Sequence, residues 1–160
     1  MATVNFTKYS QGSGTNPTDF DGYVIGSGIP YGLQSKLGIM KSTVDTSKTG
    51  VTNTNADVYE AIYLKAGTKV IDAWFIVTTA ETGTDAAAAT FALGITGGTV
   101  NGWVTAAICN AAVLHAPNGT YLNAGGYFAS SENTIDLLVA GGEFEDCVVD
   151  VYALVLDCNA

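Results

Sequence analysis

Arginine is absent from these 160 residues, and the whole cationic complement is six lysines: Lys8, Lys36, Lys41, Lys48, Lys65 and Lys69. A chain without guanidinium forks and with a formal charge of −9 is poorly equipped to grip phosphates, which argues against nucleic acid as a partner. Histidine is nearly missing too. His115 is the single imidazole, and the three cysteines, Cys109, Cys147 and Cys158, show neither a CxxC pair nor a Cys/His spacing that would build a zinc site. No metal and no cofactor is expected. An odd number of cysteines without a framework reads as buried free thiols. No apolar run is long enough to cross a bilayer, so no membrane partner is expected. The start, Met-Ala-Thr-Val-Asn-Phe-Thr-Lys8, lacks a basic patch followed by a hydrophobic segment, so it does not read as a signal peptide. The expectation is a product made in a cytoplasm that stays there or leaves by lysis.

Catalytic patterns are equally scarce. A Ser/His/Asp arrangement would have to use His115, which sits beside the turn Pro117-Asn118-Gly119, and no Gly-x-Ser-x-Gly elbow surrounds any serine. Gly26-Ser27-Gly28 lacks that spacing. Asp19-Phe-Asp21-Gly22 has too few oxygen ligands for a calcium loop and reads as a turn. Glu143, Glu145 and Asp146 could pair with Asp136 or Glu132 as a glycosidase-like couple, but a solvated acidic loop between two strands is the better account. No enzyme is expected, and no residue is assigned a catalytic role.

What is present is strand. Cys147-Val-Val-Asp-Val-Tyr-Ala-Leu-Val-Leu-Asp-Cys158 is apolar, rich in β-branched residues, and free of Gly and Pro. It predicts a long strand covered on both faces, with Val149, Val151, Ala153 and Val155 on one and Val148, Tyr152, Leu154 and Leu156 on the other. Residues 57–65 and 69–79, around the turn Ala66-Gly67-Thr68, predict a hairpin in which Trp74 and Phe75 anchor the core. A short strand is expected at 36–41, followed by an exposed Thr/Ser/Asn-rich loop to Asn55. Further strands are expected at 88–96, from Tyr127, and at 134–139; 103–114 is the one stretch where a helix is plausible. Turn signals about every 8–12 residues between short strands are the pattern of an antiparallel β-sandwich. The fold class is therefore all-β, an antiparallel sandwich over residues 36–160.

Residues 1–35 differ: Gly-rich, with Pro17 and Pro30, yet carrying Phe6, Tyr9, Phe20, Tyr23 and Tyr31. Disordered tails are depleted in such rings. The segment reads as an extended arm whose five aromatics are interaction residues, ordered by lying along its own domain or a neighbouring subunit. Charge is split as well. Residues 1–69 carry six lysines against five acids, while 70–160 carry ten acids and no base.

The hairpin region, Val58 to Val77 followed by Thr78-Thr79-Ala80-Glu81, resembles small virion structural proteins of tailed bacteriophages. So do Ala124-Gly-Gly-Tyr-Phe128, Asn133-Thr-Ile-Asp-Leu137 and Val151-Tyr-Ala-Leu-Val155. The resemblance covers about residues 57–158. It implies a β-sandwich or jelly-roll body and a place on the virion, as a capsid decoration (cement) protein. The partners it implies are a major capsid protein and other copies of itself, as a trimer or dimer. The alternative from another class is a carbohydrate-binding sandwich module of a tail or head fibre. That reading predicts Trp103 or Tyr121 exposed beside acids or amides; the structural one predicts both buried or at a subunit contact.

Overall fold

A computed structural model describes residues 3–5, 37–48 and 54–158. Two five-stranded sheets face each other. Sheet A has the order β1 (Thr3–Asn5), β3 (Val58–Leu64), β9 (Asn133–Ala140), β5 (Thr90–Ile95), β6 (Val104–Ile108). Sheet B has the order β2 (Leu37–Asp45), β10 (Val148–Asp157), β4 (Thr68–Thr79), β7 (Leu114–His115), with β8 (Tyr127–Ala129) sharing the last edge of β4. Pairing is antiparallel except between β1 and β3. A single helical turn, α1 (Thr120–Asn123), is the only helix among the described residues. The expected all-β antiparallel sandwich is what forms.

The long strand β10 is the centre of sheet B, and Val149, Val151, Ala153 and Val155 are fully buried against sheet A. Its other face is a correction: Val148, Tyr152, Leu154 and Leu156 are only half-buried, because among the described residues no second layer covers sheet B from outside. Facing β10 across the core are Tyr59, Phe91, Leu93, Ile135, Leu137 and Val139. Phe91 organises the centre, stacked on Phe144 at 4.0 Å and meeting Tyr59 and Phe75 edge-on at 5.8 and 6.3 Å. Such offset and T-shaped contacts suit the ring quadrupoles.

The expected hairpin of 57–65 with 69–79 does not form. β3 pairs with β1 and β9 in sheet A, and β4 with β10, β7 and β8 in sheet B. The turn at Lys65–Gly67 therefore carries the chain from one sheet to the other. Its peptide groups show why: the Gly67 N–H donates to Ala129 at the end of β8, and the Gly67 carbonyl accepts from Cys158 after β10. Gly67 has φ +84°, a left-handed backbone that glycine adopts freely.

Two other expectations fail because an open sheet edge outweighs local propensity, and a third, that for Trp74, because of the alternation of side chains along a strand. The stretch 103–114 is not helical: Val104–Ile108 pairs with β5, and Leu114–His115 with β4. The short strand at 36–41 continues to Asp45 along β10, which buries Ser42 and Val44 where an exposed loop was expected. Trp74 is not a core anchor. It lies on the outer side of sheet B, half-buried, while Phe75 points inward. The strand expected at 88–96 is β5, and those from Tyr127 and over 134–139 are β8 and β9.

Candidate interaction surface

The outer face of sheet B carries far more apolar surface than a solvated sheet face needs. Antiparallel register lines up its outward residues in rows: Leu37, Leu156 and Lys69; Ile39, Leu154 and Asp72; Lys41, Tyr152 and Trp74; Thr43, Asp150 and Ile76. A register shift between Leu154 and Val155 leaves Ile71 as an extra residue in β4, pushed outward. Ile71 is 39% exposed, Phe128, opposite Lys69 on β8, is 50% exposed, and Leu114, opposite Ile76 on β7, is 54% exposed. Alternation explains the arrangement: Val70, Ala73, Phe75 and Val77 take the inner side of β4, so the residues between them must face out.

Polar groups on this face are arranged in two ways. Around Tyr152 they are satisfied locally. The ring stacks on Trp74 at 5.7 Å with planes 8° apart, and the Lys41 ammonium sits 5.5 Å above its centre. Lys41 also bridges to Asp150 at 2.8 Å, and Asp150 accepts from the Thr43 hydroxyl. Near Ile71 they are not. Asp72 accepts only the Ala73 N–H at 2.9 Å, and desolvation, the larger influence, raises its carboxyl above the usual range. Neither Asp72 nor Lys69 has an ion-pair partner among the described residues.

The acids weighed as a carboxylate couple fall into separate places. Asp136 lies mid-strand in β9, on the outer side of sheet A, beside Glu60 and beneath Thr96, whose hydroxyl donates to it. Burial pushes its pKa up to about 6, with Glu60 adding to the shift and the Thr96 bond opposing it. Glu132 accepts from the Tyr63 hydroxyl. Glu143, Glu145 and Asp146 belong to the β9–β10 connection, where they meet the β4–β5 connection. Glu81 is buried there and accepts from the Gly83, Glu145 and Asp146 amides at 2.8, 2.9 and 3.3 Å. Asp146 answers by accepting from the Thr82 amide and hydroxyl. These bonds knit the two connections together. Glu81 gave no sequence signal; a lone acid just after a strand looks like any solvated turn residue.

His115 is half-buried, with its ring 4.8 Å from Phe75, and burial lowers its pKa. The thiols of Cys109 and Cys147 are buried, that of Cys109 donating to the Ala107 carbonyl at 3.4 Å, and the neighbouring Cys109 together with burial drives the Cys147 pKa upward; Cys158 is exposed, a departure from the expected burial of all three. Its strand has ended one residue earlier, past the edge of the core. Phe6, Tyr9, Phe20, Tyr23 and Tyr31, together with Asp19–Gly22, lie outside the described residues. Trp103 is fully buried, and Tyr121 packs between Trp103 and Tyr127 with its hydroxyl accepting from the Thr99 amide. The positions on which a sugar-binding reading depended are thus occupied by packing. Among the described residues, no helix is long and apolar enough to cross a membrane.

A chain in the capsid of Ralstonia phage GP4 superposes on this one with a TM-score of 0.62 at 13% identity, over 99% of this chain and 100% of that one. The fold occurs in phage capsids. A chain of the cyanophage Pam1 capsid asymmetric unit gives 0.58 at 16% identity, covering 90% of this chain and 98% of that one. One from the acidic stable capsid of Helicobacter pylori bacteriophage KHP30 gives 0.54 at 13%, covering 76% and 87%. No family model matches the sequence, and no curated protein matches it. At such identities the likeness is one of fold.

Proposed function

We propose that this chain is a structural protein of a phage virion, and within that class a decoration protein that binds and stabilises a capsid lattice. The observation that carries the reading is the match to the GP4 capsid chain, which spans nearly all of both chains and so is not a shared fragment. The chemistry of the surface is consistent with it. An arginine-free acidic chain with a broad apolar sheet face is suited to packing against protein. Its work is binding, and its partners are a major capsid protein and further copies of itself.

Purified virions test this directly. Quantitative protein analysis should find the chain at a copy number comparable with that of the capsid lattice, and particles stripped of it should lose resistance to heat or chelation and regain it on re-addition. A few copies per particle would place it on the tail or a fibre. Absence from washed virions would end the reading.

A further inference from the structure

We infer that the outer face of sheet B is a self-association surface, on which two copies pack face to face with β4 antiparallel to the β4 of the second copy. An interface between identical chains about a two-fold axis must be complementary to itself. The region around Ile71 meets that condition. Lys69 and Asp72 face outward from one strand on adjacent rows, one paired in register with Leu156 and the other with Leu154. A two-fold axis lying in the interface, crossing β4 midway between them, sets each Lys69 over Asp72 of the second copy, twice per dimer. The same operation sets Leu156 over Leu154 of the second copy, brings the two exposed Ile71 side chains together near the axis, and lays the exposed Phe128 along the β8 edge of the opposite face.

The neighbouring charges sharpen the choice of occupant. Lys41 is engaged by Asp150, and Lys48 by Asp45, so the face completes its ion pairs where it can. Lys69 and Asp72 are left over, one of each sign, within an apolar surround that weakens their hydration. A partner of one charge sign would satisfy only one of them; a second copy satisfies both. Removing water from such a pair favours it only if each charge meets its opposite, which the two-fold arrangement provides. This inference stands on the face and not on the capsid reading, so each can fail alone.

The test uses the full chain in solution, by sedimentation equilibrium from micromolar to millimolar concentration. A reversible monomer–dimer equilibrium is expected. Phe128→Ser and Ile71→Ser should each weaken it by at least about tenfold, as loss of buried apolar anchors does. Lys69→Asp and Asp72→Lys should each weaken it likewise, and the double swap should return it to near the native constant, a coupling that separate structural effects do not produce. Circular dichroism checks that each variant is folded, and the charge variants keep the test open should an apolar replacement fold poorly. A wild-type chain that stays monomeric overturns the inference. So does dimerisation that survives the apolar replacements, which would mean that residues 6–36 or another protein cover this face, or a double swap that does not restore it.

Discussion

Asp136 shows how one buried carboxyl shapes the response of a fold to pH. Its Oδ1 is buried without a hydrogen-bond partner, and its folded pKa is about 6, above the value of 3.8 for a free aspartate. Between those two values the folded protein binds the proton more tightly than the unfolded chain. This contribution to stability therefore increases as pH falls from above 6 towards 4, and decreases again as pH rises. At neutral pH the charged form destabilises the fold, by about 1–3 kcal/mol on the linkage relation. Asp136→Asn keeps the shape and an acceptor for Thr96 but removes the charge. It should raise stability at pH 7 by a comparable amount and leave it nearly unchanged at pH 4. Urea unfolding of both proteins at the two pH values measures the difference, and an equal effect at both would show that Asp136 is not the titrating group. Asp45 and Asp146, whose pKa values are lowered by hydrogen bonds from Ser47 and Thr82, work in the opposite direction in both proteins and cancel in the comparison.

Strands, unlike single groups, were largely written in the sequence; what they pair with was not. β10 was legible because twelve residues without Gly or Pro, alternating Val and Ala on one side, fit a central strand and little else. The same residues misled in one respect. An apolar second face reads as burial, whereas Tyr152, Leu154 and Leu156 are half-buried on a sheet surface that no other described element covers, as Trp74 is beside them. Local pattern reports that a face is apolar and cannot report which layer covers it. The β3–β4 turn was misread for a related reason: a tight Gly turn joins strands equally well within a sheet or across a sandwich, and only the partners of Gly67, far along the chain, decide. Glu81 was illegible because its three amide donors come from two connections more than sixty residues apart. That clamp makes a prediction at this scale. Glu81→Gln presents an amide N–H to at least one backbone N–H and loses a charge-assisted bond. Stability should fall by about 1–3 kcal/mol, with the first loss of amide protection in Gly83, Glu145 and Asp146 by hydrogen exchange. A variant as stable as the parent, with those amides still protected, would mean the carboxylate is incidental to the clamp.

At the scale of the whole molecule, the sandwich leaves one part of the sequence unspent. The described body places its large rings in the core or on the faces of its two sheets, yet residues 6–31 hold five more, Phe6, Tyr9, Phe20, Tyr23 and Tyr31, among many glycines. Glycine makes such a segment costly to order, so rings are retained there only if their burial offsets that entropy. We propose that they bury against a neighbouring subunit on a particle. Net charge does not drive the contact: residues 1–35 carry Lys8 against Asp19 and Asp21 and the body is acidic, so burial of the rings must carry it. Replacing the five rings by serine leaves every described core residue in place, and the protein should melt as a folded sandwich. Its binding to stripped particles should nevertheless drop by at least about tenfold, the loss expected when aromatic anchors are truncated. Added salt should leave the native protein's binding undiminished, because screening removes only a repulsion between two acidic segments. The measurement is a particle-binding titration of both proteins at low and high salt. Equal binding would show that the rings do not serve attachment, and a serine variant that fails to fold would show that they belong to the sandwich itself.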